Sequence, residues 1–383
     1  MMIKYIFNPF FIYSSIFVFI ILIYPLQWSD IQPELSGNLT LFILSTVVIS
    51  FFLSLIFRGN FKNISLESIK YKNNFVWIFS VVGVALEFIY AKGIPLIKVM
   101  KGEFHDYFAF GIPTFHAIFL PYLISIGLIS FYNYLASKNK SDLFLYLFSI
   151  LFCVLIINRG AVIFILFSSL VIHFLLKNNL TPKKVILTVI GGVITLYLFG
   201  VVGNYRMVSS GYQGNDIILT VGRANSNFYE SNVPTEFFWS YLYLVTPFSN
   251  LQYQVNNIPS NVDIENAFKY HILIDFLQKR IFPDNQQQAM LLQEEFNVST
   301  MYGDVVQVAG IPGAMVLFIW YILVVFVVTK LTPSKYKIIV IGILCCISVL
   351  QCFTNIMVVA GYGLPPVLIA LLSRFKFANN RII

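Results

Sequence analysis

Long apolar runs alternate with short polar breaks along most of this chain. The runs are approximately Pro9 to Leu26, Leu39 to Phe57, Phe75 to Ala91, Thr114 to Leu135, Leu143 to Ile157, Ala161 to Leu176, Val185 to Val202, Gly303 to Thr329, Tyr336 to Asn355 and Met357 to Ser373. A bilayer's hydrocarbon core is roughly 30 Å thick and a helix rises about 1.5 Å per residue, so a crossing takes about 20 apolar residues. Backbone groups in lipid must pair within their own segment, and a barrel would read instead as short alternating strands. The pattern predicts an all-α, polytopic membrane protein of about ten transmembrane helices. Residues 1–202 hold helices one to seven, residues 203–302 form one large polar loop with short amphipathic or interfacial helices, and residues 303–383 hold the last three helices and a short tail.

Three stretches refine this outline. Leu143 to Leu176 is too long for one crossing and is broken only by Asn158, Arg159 and Gly160, which predicts two short helices joined by a tight turn. Phe237 to Phe248 is apolar but short, and Pro247 lies at its end, so it predicts an interfacial or re-entrant helix. Phe268 to Phe282 reads as one amphipathic helix, with Phe268, Ile272, Leu273, Phe276, Leu277 and Ile281 on its apolar face.

Composition agrees with a membrane protein: 58% of residues are hydrophobic and 11% charged. The four cysteines, Cys153, Cys345, Cys346 and Cys352, all fall inside apolar runs, where packing is their expected role. The first run has one charge before it, Lys4, and no small-residue cleavage pattern after it, so a retained span is expected rather than a removed signal. Lys and Arg crowd into alternate short breaks: Arg58, Lys62, Lys70 and Lys72, then Lys138 and Lys140, then Lys177, Lys183 and Lys184, then Lys330, Lys335 and Lys337, then Arg374, Lys376 and Arg381. By the positive-inside rule these breaks are cytoplasmic, both termini are cytoplasmic and the 203–302 loop is outside. The net charge of +8 then speaks for orientation and anionic lipid, not for nucleic acid.

The candidate chemistry gathers on the expected outer side. Arg159 sits at a turn between short hairpin arms, where an unpaired guanidinium near lipid is expensive; it would suit a lipid-linked phosphate, or pair with a carboxylate such as Glu87. Gly203-Asn-Tyr-Arg206 and Gly222-Arg223 open the large loop, combining forked guanidinium donors with glycines that let backbone N–H groups approach an anion. Arg280 adds a fourth guanidinium. His271, Asp275 and Gln278 follow one helical stripe, so a carboxylate could orient an imidazole as general base, or the residues could form a bland surface pair. Asp304 is a further candidate base, and Tyr205 is one of several aromatics suited either to sugar stacking or to a membrane interface. No nucleotide-binding, dinucleotide or zinc-ligand motif is present, so neither cofactor nor metal is expected, and any driving energy must arrive with the substrate.

The order of these parts resembles the bacterial O-antigen and oligosaccharide repeat-unit polymerases of the Wzy type. The resemblance is carried by Gly93-Ile-Pro-Leu-Ile97, Phe110-Gly-Ile-Pro113, Asn158-Arg-Gly160, Asn204-Tyr-Arg206, Val245-Thr-Pro-Phe-Ser-Asn250 and Tyr302-Gly-Asp304, followed by Gly310 and Gly313. It covers nearly the whole chain, as a layout with scattered short strings. What it implies is a glycosyltransferase of the bacterial inner membrane, acting at the outer face on undecaprenyl-pyrophosphate-linked oligosaccharide. Arg159, Arg206, Arg223 and Arg280 would receive the departing pyrophosphate, and His271 with Asp275 would take the acceptor proton. A chain-length regulator and a flippase are candidate partners, beside the lipid bilayer itself. An O-antigen ligase, another lipid-sugar-dependent glycosyltransferase and a lipid-linked oligosaccharide flippase are the alternatives.

Overall fold

The computed structural model describes residues 3–61, 67–69, 73–103, 110–177, 181–209, 214, 216–258, 263–282, 290–374, 376–377 and 380–381. Each of the ten apolar runs coincides with a helix. The first seven are α1 (Pro9–Ile23), α2 (Gly37–Phe57), α3 (Asn73–Tyr90), α4 (Phe115–Ser137), α5 (Lys140–Leu155), α6 (Arg159–Lys177) and α7 (Pro182–Ser209). The polar stretch contributes α8 (Glu236–Asn256), α9 (Ile264–His271) and α10 (Asp275–Ile281), and the last runs form α11 (Gly303–Leu331), α12 (Lys337–Leu350) and α13 (Ala360–Leu372). Six helical segments, Pro9–Leu26, Gly37–Phe61, Phe115–Ser137, Arg159–Lys177, Pro182–Val208 and Gly303–Leu331, are long and apolar enough to cross a membrane. The chain is an all-helical membrane protein; among the described residues the only strands are a two-residue antiparallel pair, Lys376–Phe377 with Asn380–Arg381.

Short polar residues start these helices where the sequence places them. The Asn8 side chain accepts the Phe10 N–H at 3.1 Å, and Pro9 follows it at the first helical position, where a missing N–H costs nothing. Between α5 and α6, Ile157 takes a left-handed conformation (φ 58°) and the Asn158 side chain accepts the Ala161 N–H at 2.9 Å. The predicted hairpin with its tight turn is therefore observed.

The first helices pair antiparallel. Asn8 of the chain start reaches the Ser54 carbonyl at 2.8 Å while Ser14 reaches that of Val47 at 3.0 Å, which pairs α1 with α2. In the α4–α5 pair, a Cβ on Gly127 would lie 2.2 Å from Ser149 Oγ, so only glycine permits that approach. This alternation brings the basic breaks to one end of the bundle, where Arg58 covers the Tyr5 ring at 3.9 Å, Lys335 pairs with Glu67, and Arg374 Nε donates to the Leu331 carbonyl at 2.8 Å. The long polar stretch folds over the other, the loop end. Large apolar side chains face outward between the two ends, including Leu22, Leu41, Ile56 and Ile78, an arrangement suited to hydrocarbon and unfavourable in water. All four cysteines are buried.

Three features differ from the sequence outline. First, α8 spans Glu236–Asn256, well beyond the expected short apolar segment, and most of it is buried. Its second half is polar yet enclosed because its amides bond the returning chain: Asn250 Nδ2 donates to the carbonyls of Phe296 (2.7 Å) and Val298 (2.8 Å), and Gln254 Nε2 to that of Met290 (2.9 Å). Second, the expected helix from 268 to 282 is two helices, α9 and α10, with Ile272–Ile274 between them. Tertiary bonds to the chain end decide this break, as described below. Third, α7 continues to Ser209, so Gly203 to Arg206 occupy a helix end rather than a loop.

The bend in α11 has a specific cause. Gly310 leaves helical geometry (φ 60°, ψ −160°), and Pro312 has no N–H to offer the Val308 carbonyl four residues back. The Asp263 N–H takes that carbonyl instead, at 3.0 Å, and α9 begins at the next residue. The bend thereby seats α9 on α11.

Candidate functional site at the loop end

The start of α13 organises one group of candidate residues. Asp275 Oδ1 accepts the Ala360 N–H at 3.1 Å and the Phe276 N–H at 2.7 Å, and the Asp275 N–H donates to the Val358 carbonyl at 2.8 Å. A carboxylate there neutralises the unpaired donors of a helix N-terminus. Next to it, Gly361 packs against Leu120 of α4. The Tyr362 hydroxyl then donates to Asn158 Oδ1 at 3.1 Å, and its ring lies 5.1 Å from that of Phe164. A Cβ on Gly160 would stand 2.5 Å from the Tyr362 oxygen, so Asn158 and Gly160 are fixed by packing while Arg159 between them is left exposed. Arg280, on α10 beyond Asp275, donates to Thr114 Oγ1 at the entry to α4. Arg159 and Arg280 thus each follow a residue tied to the start of α13, Asn158 through Tyr362 and Asp275 through Ala360.

Arg206 and Arg223 belong to a second group. Asn204 Oδ1 accepts the Trp239 Nε1–H at 2.6 Å, and a Cβ on Gly203 would lie 2.7 Å from the same indole, so α8 crosses the end of α7 there. One turn on, Arg206 is exposed, as is Tyr205. Arg223 takes a left-handed conformation (φ 47°), and its carbonyl accepts the Asp30 N–H at 3.0 Å. Ser29 Oγ to the Gly222 carbonyl (2.6 Å) and Asn225 Nδ2 to the Gln27 carbonyl (2.8 Å) complete the docking of this turn on the segment between α1 and α2. The four arginines therefore sort into two sets on different elements: α6 and α10 carry one, α7 and the 222–225 turn the other.

The expected His271–Asp275 stripe requires one continuous helix, and α9 stops at His271. His271 is buried and lines an apolar groove with Ala267, Ile272, Val305, Gly313, Val316 and Leu317, while its carbonyl accepts from Asn355 Nδ2 at 2.8 Å. Asp275 faces the start of α13. Asp304 is exposed in the first turn of α11. Among the described residues no cluster of three His, Cys, Asp or Glu side chains has the arrangement to hold a metal ion.

One pair escaped the sequence reading. Glu87, near the loop end of α3, is fully buried: its Oε2 accepts the Ile112 N–H at 3.2 Å and its Oε1 lies 3.4 Å from His116 Nδ1. Gly111 (φ 95°) allows this approach, since a Cβ there would stand 2.5 Å from Glu87 Oε2 and 2.6 Å from the His116 ring. The suggested Arg159–Glu87 pair is accordingly replaced by a His116–Glu87 pair. The available signal was a lone carboxylate in an apolar run together with the Phe110-Gly-Ile-Pro113 string, but nothing in their spacing links them.

The sequence matches no protein-family model, no curated protein and no solved structure.

Proposed function

We propose that this protein is a polymerase of undecaprenyl-pyrophosphate-linked oligosaccharide repeat units, working at the outer face of a bacterial inner membrane. In this reading all ten apolar helices cross, the basic end is cytoplasmic, and the loop end is periplasmic. The observation that carries it is the exposure of guanidinium groups in two separate sets at the loop end of an otherwise apolar bundle. Such a polymerase handles two lipid-linked pyrophosphates at once, on the donor glycan and on the acceptor unit, and two arginine sets match two diphosphates. Guanidinium forks bind phosphate oxygens bidentately. Donors of this kind stabilise charge as it gathers on a departing pyrophosphate. The bond energy of the donor suffices, so no nucleotide is called for.

The test is to supply the reconstituted protein with a purified lipid-linked repeat unit. A ladder of longer lipid-linked glycans is the expected product. Transfer to a lipid A core would instead make it a ligase, and movement across the bilayer without new bonds a flippase; either result overturns the proposal.

A further inference from the structure

Among the described residues Glu87 is the one carboxylate buried completely within an apolar helix, and that burial is expensive unless the group is paired. Its two oxygens have separate tasks. Oε2 holds the Ile112 N–H at 3.2 Å and so fixes the turn before α4; Oε1 faces His116 Nδ1 at 3.4 Å. Glu87 Oε1 and His116 Nδ1 are both enclosed and face each other without a formed hydrogen bond, while the His116 side chain keeps 23% of its surface open. A carboxylate facing Nδ1 favours the tautomer that carries its proton there and its lone pair on Nε2. Two residues away, Thr114 holds the Arg280 guanidinium. A proton acceptor and a phosphate-binding group therefore meet at the entry to α4.

From this geometry we infer that His116 is the general base of the transfer and Glu87 the residue that positions it, in place of His271 and Asp275; the inference rests on the polymerase reading above. The acceptor hydroxyl gives its proton to His116 Nε2 as its oxygen bonds to the anomeric carbon of the donor glycan. The bond from that carbon to the pyrophosphate oxygen breaks, and its electron pair leaves on the lipid pyrophosphate, received by the arginines. The imidazolium then returns its proton to solvent.

The experiment is steady-state chain extension by His116→Gln and Glu87→Gln on a purified lipid-linked repeat unit. His116→Gln should lower kcat about 100-fold with KM changed by less than about threefold. Glu87→Gln keeps an acceptor for the Ile112 N–H but removes the charge, so it should cost about tenfold in kcat. KM should again stay within about threefold of wild type, whereas a purely structural clamp would show as lost folding or a raised KM rather than a fall in kcat alone. Should His116→Gln fail to fold, restoration of His116→Gly by added imidazole, together with the kcat of Glu87→Gln, decides the matter. A wild-type ladder with kcat within twofold in both His116→Gln and Glu87→Gln overturns this assignment alone; a wild-type protein that extends nothing removes the polymerase reading with it.

Discussion

Asn250 closes the Val245-Thr-Pro-Phe-Ser-Asn250 string, and its surroundings define what removing it should cost. Its amide donates to the carbonyls of Phe296 (2.7 Å) and Val298 (2.8 Å), and its Oδ1 accepts the Leu292 N–H at 3.0 Å, all at a residue 1% exposed. Asn250→Ala leaves three backbone groups without that partner. At about 1 kcal/mol for each orphaned group, the loss is about 3 kcal/mol, a large share of the roughly 5–15 kcal/mol that holds a domain folded. Asn250→Asp should be worse, because it keeps the acceptor for Leu292 but sets a carboxylate oxygen against two carbonyl oxygens. Ser45→Ala is the control: Ser45 is exposed and its hydroxyl bonds only the Leu41 carbonyl of its own helix, at 2.7 Å, so less than about 0.5 kcal/mol is expected. The assay is thermal melting of detergent-solubilised protein by size exclusion, with limited proteolysis of residues 290–300 as a local report. If Asn250→Ala melts with Ser45→Ala and its 290–300 stretch resists cleavage as in wild type, the clamp is not what holds that segment.

Arg206→Ala should leave the protein in the membrane yet lower extension about 100-fold, so that surface glycans in a complemented deletion strain are single repeat units; wild-type chain lengths would remove Arg206 from the mechanism. Arg159→Lys keeps the charge but loses the fork, and a drop of about tenfold in extension, read on the same gels, is expected if the contact is bidentate. Glu67 lies beside Lys335, whose hydrogen bond and charge hold the carboxyl below its usual range, so the stabilisation is complete at neutral pH and is lost as pH falls through the lowered value. Because that pair is open to solvent, Glu67→Gln should leave the melting temperature at pH 7 and 0.15 M salt unchanged within error, and a clear drop would show a coupling the contact itself does not explain. For orientation, the buried native cysteines give a silent background: Leu277→Cys should react with an impermeant maleimide in intact spheroplasts and Lys138→Cys only after lysis. The reverse pattern would put the loop end in the cytosol and sink the proposed reaction.

The helices were legible because hydropathy alone reports them: lipid-facing side chains such as Leu41 and Ile163 make each run continuous instead of periodic. The hairpin turn was legible too, since Asn158 and Gly160 are there for capping and close approach, two local demands. What was hidden depends on distant partners. The second half of α8 looks like a solvated loop, because Asn250, Gln252 and Gln254 lower its hydropathy, and only the returning chain at 290–300 shows that those amides are enclosed. The break after His271 was equally unreadable. Periodicity favours continuing the helix, but continuation would forfeit the bonds from Asp275 to Val358 and Ala360, some 85 residues away, and those bonds prevail.

The candidate site divides along the same line. Each arginine could be picked out singly, by charge in an apolar setting, but their sorting into two sets follows from which helices cross: α8 over α7 for Arg206, and α13 against α4 and α6 for Arg159 and Arg280. A base, unlike a phosphate-binding cation, has no distinctive position in the sequence. It depends on enclosure, which sets a carboxylate against one nitrogen of a ring. His271 has the helical spacing for such a pair and loses it when its helix ends; His116 has no sequence relation to Glu87 and gains one because Gly111 lets the turn close over the carboxylate. In this bundle the contact between the two is set by a costly burial and a glycine turn, not by any spacing in the sequence.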